Sequence, residues 1–211
     1  RPYRTWIEQL PWIRELEATP DDWHEAGADA GRASVIKAAP VSPYLAWMRP
    51  ERLDGYARKI KRVGGIDLQI IGVGGRGHVA FHESGIPLKE SAVMLVKLDN
   101  NTVANAVADG HFPSMEESPC YAVSMGAELV YRAGAVVLLA NGERKAEPVA
   151  RSLLDEPTPD VPISYGQIYS ANGGDLCYVV DRIAARELLA SRSALERKGV
   201  EILFPKPGTA I

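Results

Sequence analysis

The chain has 211 residues, of which 46% are hydrophobic and 24% are charged, and its formal net charge is -3. This composition is typical of an ordinary soluble globular protein of one domain, spanning residues 1–211, with a real core. The slightly acidic balance argues against nucleic-acid binding, because the one dense basic run, residues 58–62, fits the solvated face of a helix.

Membrane insertion and disulfide bonding are also disfavoured. No apolar run reaches the roughly 20 residues of a membrane span, and the N-terminus does not resemble a signal peptide, so we expect a cytoplasmic protein without a membrane partner. Cys120 and Cys177 lack metal-type spacing, and we expect both to be buried thiols. Because the chain opens at Arg1 and not at Met, we expect that an upstream segment is absent from this sequence.

The first fifty residues give weak patterns. Residues 4–17 have a helical apolar rhythm interrupted by Pro11, and residues 18–33 fit a surface connection. Residues 34–38 are a short strand candidate, and Pro50 suits the first turn of a helix.

The pattern becomes clear from residue 50 onward. Helices are predicted at 50–63, 100–110, 127–132, 142–154 and 181–198, and strands at 66–72, 92–98, 121–124, 136–140, 176–180 and 200–204. Pro148 conflicts with the fourth helix, whereas Asp99 or Asn100 can cap the second. Because strands and helices alternate, we predict a three-layer α/β fold, a mostly parallel Rossmann-like sheet flanked by helices.

The first long strand leads into a glycine-rich turn. Gly72, Gly74, Gly75 and Gly77 are followed by His78, His82 and Glu83. Ligands of open α/β sheets bind beyond the carboxyl ends of the strands, where glycines let backbone N–H groups approach an anion. We therefore expect the site here.

Three interpretations of this turn compete. Gly72, Gly74 and Gly77 fit a dinucleotide-binding pattern, but Gly85 and Pro87 leave little room for the helix that it requires. His78, His82 and Glu83 could bind a metal only on a helix. The simplest alternative is that His78 and Glu83 merely hydrogen-bond a tight loop.

The surrounding sequence carries a resemblance. Residues 72–83 are similar to the Gly-x-Gly-x-Asp-Gly-His-Ile-Ala-Phe-Asn-Glu-Pro hallmark of the glucosamine-6-phosphate deaminase/isomerase family. Residues 103–105, 121–126 and 141–146 also resemble segments of that family, and the match extends from residue 1 to about residue 190. The related 6-phosphogluconolactonases share Gly-His, but Phe81 and Glu83 favour the deaminase branch.

The resemblance implies roles for individual residues. His78 would be the ring-opening acid/base, with Glu83 orienting it, and Lys145 would contact the substrate phosphate beside the glycine turn. No cofactor or metal is implied, the partner is a sugar phosphate, and a homo-oligomer remains an open expectation.

Three departures separate this chain from the family. Arg76 stands at the family's Asp, and Thr102 stands at its phosphate-binding Arg. The family's phosphate-cradling loop and proton-abstracting Asp would precede Arg1. We therefore expect a divergent isomerase or deaminase, in which Arg76 meets an additional anionic group of an amino-sugar phosphate or related anionic sugar. The alternative is a non-catalytic sugar-phosphate sensor.

Overall fold

The structure is a computed structural model that describes residues 23–25, 34–36, 50–89, 91–119 and 121–204. The expectations for residues 4–17 and for Cys120 lie outside these ranges. The strands are β1 (Trp23–Glu25), β2 (Ser34–Ile36), β3 (Leu68–Gly72), β4 (Val93–Lys97), β5 (Tyr121–Met125), β6 (Ala135–Ala140) and β7 (Asp175–Val180). The helices are α1 (Pro50–Arg62), α2 (Asn100–Ala108), α3 (Ala127–Val130), α4 (Ala146–Leu154), α5 (Tyr165–Ala171), α6 (Arg186–Ala190) and α7 (Arg192–Arg197), with 3-10 turns at Glu143–Lys145 and Pro162–Ser164.

A parallel sheet with flanking helices forms the centre of the fold, as the alternating pattern predicts. Its strand order is β3-β6-β7, and the apolar strand β6 lies in the middle. Ile71 of β3 pairs in register with Leu138 of β6, which in turn pairs with Tyr178 of β7. All three strands therefore end at the same edge of the sheet, beyond Gly72, Ala140 and Val180.

A second sheet is antiparallel, with the order β1-β2-β4-β5. The strands predicted at 92–98 and 121–124 form, but they pair antiparallel with each other instead of extending the parallel sheet. The chain reverses after α2 through turns and bends in residues 109–119, so β5 runs back along β4. β1 lies in a segment that the sequence predicted as a connection.

The main core lies on one face of the parallel sheet. Ile71, Val136 and Leu138 point into it and pack with apolar residues of α3, α4, α6 and α7. Successive side chains of a strand point to opposite faces, so Ile70, Leu139 and their in-register neighbours point the other way. Cys177 shares that outer face and is exposed, so the prediction of a buried thiol is wrong for this residue.

Several predicted element boundaries are confirmed and others are corrected. Gly64 and Gly65, both with positive φ, follow α1, and Gly65 N–H donates to the Ile60 carbonyl (3.0 Å). Pro148 lies in the first turn of α4, where a backbone N–H has no helical partner, which resolves the conflict in the sequence. The helix predicted at 181–198 is two helices separated at Ser191, and residues 200–204 do not form the predicted edge strand.

Candidate active site

The glycine turn closes on itself directly after β3. Gly74 N–H donates to the His78 carbonyl (3.1 Å), and Gly77 N–H donates to the Gly74 carbonyl (3.0 Å). Residues 78–89 continue as turns and isolated bridges, not as a helix. The dinucleotide interpretation is therefore wrong, because its phosphate would need a helix N-terminus at Gly77.

Two of the glycines are required by their surroundings. A Cβ atom on Gly74 would lie 2.1 Å from His78 Nε2, so the imidazole ring occupies the space where a side chain would be. Gly77 has φ +82°, and a Cβ atom there would lie 2.6 Å from Val161 Cγ1. The first glycine makes room for the imidazole, and the second allows the turn to pack against the loop that precedes α5.

His78 and Glu83 form a direct pair. His78 Nδ1 lies 3.2 Å from Glu83 Oε2, and the side chains are 16% and 3% exposed. With Nδ1–H donating to the carboxylate, the second ring nitrogen, Nε2, can accept a proton from a ligand or return one. Within the described residues no other group is found in a hydrogen bond with this ring, so Nε2 can take part in proton transfer.

The carboxylate of Glu83 is held from its other side by a third residue. Asp99 donates its backbone N–H to Glu83 Oε1 (3.3 Å), and its side chain caps α2 by accepting from Asn101 N–H (2.6 Å). The remaining carboxylate oxygen of Asp99 accepts from Arg76 Nη1 at 2.9 Å. Arg76, Asp99, Glu83 and His78 therefore form one continuous polar chain.

His82 has a structural role. Its Nε2–H donates to the Ile86 carbonyl (2.9 Å), and Nδ1 accepts from Ala127 N–H at the start of α3 (3.0 Å). Burial lowers the pKa of His82 to about 4, so the ring is neutral near pH 7. Both nitrogens are occupied, which contradicts the metal interpretation, and no group of three or more ligating side chains suited to a metal occurs within the described ranges.

The turn that carries Lys145 lies at the same edge of the sheet, after β6. Gly142 has φ +83° and donates its N–H to Asp181 Oδ2, just beyond β7 (3.1 Å). Lys145 follows as the last residue of the 3-10 turn and is half-buried. Burial lowers the pKa of Lys145, with the positive charge of Arg144 adding to the effect and Asp109 opposing it.

Asn105 connects this turn with the glycine turn through α2. Its side-chain oxygen lies 3.5 Å from Arg144 Nη1, and a Cβ atom on Gly75 would lie 3.9 Å from its Nδ2. Thr102 is buried in the first turn of α2. Of the predicted site residues, Gly72 ends β3 and the others of the glycine turn follow it, Thr102 lies on α2, and Lys145 lies in the 3-10 turn that follows β6.

Sequence reasoning missed three residues of this region. Asp99 appeared only as a possible helix cap, and Asp181 and Arg151 were not considered. Asp181 follows a predicted strand directly, which is a signal that could have identified it. Arg151 carries no such signal, because it becomes a neighbour of the turn only through the packing of α4.

Fold and site together define an α/β protein with an imidazole–carboxylate pair and a lysine turn at the carboxyl ends of parallel strands. No family model matches the chain. A glucosamine-6-phosphate deaminase of Clostridium botulinum (strain Kyoto / Type A2) is 37% identical over 133 residues, which are 63% of this chain and 52% of the relative. The deaminase of Clostridium acetobutylicum is 38% identical over 134 residues, with the same two shares.

A solved structure agrees with these relatives. A monomeric glucosamine-6-phosphate deaminase, described as the missing link of the NagB superfamily, gives a TM-score of 0.59 at 28% identity, covering 66% of this chain and 56% of that one. The resemblance inferred from the glycine turn is confirmed, because the matched residues of the chain are similar in sequence and in fold to glucosamine-6-phosphate deaminases.

The chain spans about half the length of the curated relatives that it matches. Among the described residues, none of the helices combines the length and apolar character needed to cross a membrane.

Proposed function

We propose that this protein binds an amino-sugar phosphate or a related anionic sugar and opens its ring by acid/base chemistry at His78, as part of an aldose–ketose isomerase or deaminase reaction. The observation that carries the proposal is the 3.2 Å contact between His78 Nδ1 and Glu83 Oε2, with Nε2 on the opposite side of the ring. The matching relatives are glucosamine-6-phosphate deaminases, which supports the same chemistry.

Ring opening moves two protons. The anomeric hydroxyl loses its proton, the bond between C1 and the ring oxygen breaks, and that oxygen gains a proton as the C1 carbonyl forms. A single imidazole nitrogen can accept the first proton and deliver the second, while Glu83 compensates the charge that the ring carries in between. Glu83 is suited to this role because Asp99 N–H fixes its other oxygen.

Lys145 supplies the positive charge for the phosphate group. Its half-buried ammonium is a compact donor, and anion binding beside it offsets the cost of its partial desolvation. A positive charge at this turn and a proton-transferring group at the glycine turn are the two requirements of a phosphosugar ring-opening site.

Incubation with glucosamine 6-phosphate tests the proposal in two readouts, the release of ammonia and the shift of the thermal unfolding midpoint. We expect ammonia release and a higher unfolding midpoint. We expect His78→Asn to abolish the release of ammonia while the sugar phosphate still raises the unfolding midpoint. Thermal stabilisation without turnover of this or a related sugar phosphate would instead favour a sensor. Absence of both effects across a panel of sugar phosphates would contradict the proposal.

A further inference from the structure

A cavity of about 310 Å³ opens beside the glycine turn. Its walls include Gly75 and Arg76 from the turn, Glu147 and Arg151 from α4, and Asp160 from the loop before α5. Two residues of extended chain span at most about 7 Å, so the backbone of Arg76 is close to that of His78. The cavity therefore adjoins the turn that carries His78.

Arg76 is oriented by a buried partner. Its Nη1 donates to Asp99 Oδ2 at 2.9 Å, and the Asp99 side chain is 5% exposed whereas that of Arg76 is 39% exposed. One nitrogen of the guanidinium is thus fixed, and among the described residues Asp99 is the side-chain partner found for it. A planar guanidinium held at one end presents its other N–H groups in a fixed direction, which suits recognition of a carboxylate.

Arg151, on α4, supplies a second guanidinium to the walls of the same cavity. Its ion pairs are long, 3.7 Å to Glu147 and 3.4 Å to Asp155, and its side chain is 43% exposed. Exposed pairs of this kind contribute little stability and exchange partners readily. Glu147 and Asp160 add negative charge to the same walls, so a carboxylate is favoured here only where it contacts a guanidinium.

We propose that this cavity is a second anion subsite, in which Arg76 and Arg151 bind a carboxylate carried by the phosphosugar substrate. This inference rests on the proposed function, because it assigns the phosphate to Lys145 and the carboxylate to the cavity. It also gives the Arg that replaces the family's Asp a specific task, selection of a substrate with two negative groups.

Calorimetric titration at fixed ionic strength, with matched ligand pairs, tests the subsite. One pair is 6-phosphogluconate and glucitol 6-phosphate, which differ by a carboxylate in place of a hydroxymethyl group. The other is muramic acid 6-phosphate and its methyl ester. We expect the carboxylated member of at least one pair to bind about tenfold more tightly or better, and Arg151→Gln to remove that difference.

Two further variants separate this inference from the proposed function. Arg192→Gln changes an exposed arginine that also has a partner one helical turn away, Glu196, and it should leave all affinities unchanged. Lys145→Gln should weaken both members of each pair equally. Equal binding within both pairs, or an equal loss for all ligands in Arg151→Gln, would overturn the subsite and leave the proposed function intact. Absence of binding by every phosphosugar would overturn both.

Discussion

At the scale of single residues, the candidate site depends on one buried carboxylate. Glu83 is 2% exposed, and each of its oxygens has a defined partner, His78 Nδ1 and Asp99 N–H. A buried carboxylate without partners would be costly, so this arrangement fixes its position. The same arrangement leaves Nε2 as the imidazole nitrogen that does not contact Glu83.

Glu83→Gln tests this positioning. The amide oxygen can still accept from Asp99 N–H, but the amide NH₂ then faces His78 Nδ1, so the neutral ring must carry its proton on Nε2. We expect turnover to fall by about 10²-fold or more, in the range of general acid/base effects, while the unfolding midpoint changes little. The exposed Glu156→Gln is the matched control. Turnover close to that of the unmodified protein would show that Glu83 only supports the loop.

The low pKa of His82 leads to a separate prediction about how stability depends on pH. Its pKa in the folded protein is about 4 and its ordinary value is 6.5, so the unfolded chain binds more protons between these values. The titration of His82 therefore does not lower the free energy of unfolding above about pH 6.5, but it lowers this free energy as the pH falls towards 4. From pH 7 to pH 5 we expect this residue to account for a loss of roughly 2 kcal/mol.

Urea unfolding at several pH values measures this effect, with His82→Asn as the comparison. The variant removes the titrating ring, so its free energy of unfolding should decrease less steeply than that of the unmodified protein over the same pH range. Parallel pH profiles for the two proteins would contradict a neutral, buried His82.

At the scale of elements, two neighbouring positions of the glycine turn differ in whether an added side chain would disturb the candidate site. Gly74 does not have a positive φ, but a Cβ atom there would meet the His78 ring, whereas a Cβ atom on Gly75 would make only an ordinary contact at 3.9 Å. We expect Gly74→Ala to displace the imidazole from Glu83 and to lower turnover about 10²-fold with the fold retained.

Gly75→Ala is its matched control and should keep turnover within about threefold. Steady-state rates and thermal unfolding of both variants distinguish these outcomes. Equal loss in both variants would mean that the turn is sensitive to any side chain and that the position of the ring is not the cause.

The elements also show what sequence reasoning could achieve. The glycine turn and the Asp99 cap follow from local patterns, because each depends on residue types within a few positions, whereas Lys145 was identified only through the family resemblance. The antiparallel pairing of β4 with β5 and the division of the last helix at Ser191 depend on contacts between distant segments, which periodicity does not contain. The link from Arg76 to Asp99, 23 residues apart, is missed for the same reason.

At the scale of the whole molecule, the parallel sheet has two unlike faces. Leu138 is fully buried under the helices, whereas its neighbour Leu139 is 47% exposed on the opposite face, together with Ile70 and Val179. Leu138→Ala should cost about 2–5 kcal/mol in the free energy of unfolding, and Leu139→Ala less than about 1 kcal/mol. Denaturant titration measures both, and similar losses would show that the outer face is covered in solution.

The proposed chemistry is tested most directly by the rate at which the two anomers of glucosamine 6-phosphate interconvert, measured by NMR exchange, because interconversion requires ring opening alone. We expect the protein to accelerate it, His78→Asn to return it to the buffer rate, and the exposed His111→Asn to leave it accelerated. Acceleration that persists in His78→Asn would contradict ring opening at His78. So would a failure of the unmodified protein to accelerate interconversion although it binds the sugar phosphate.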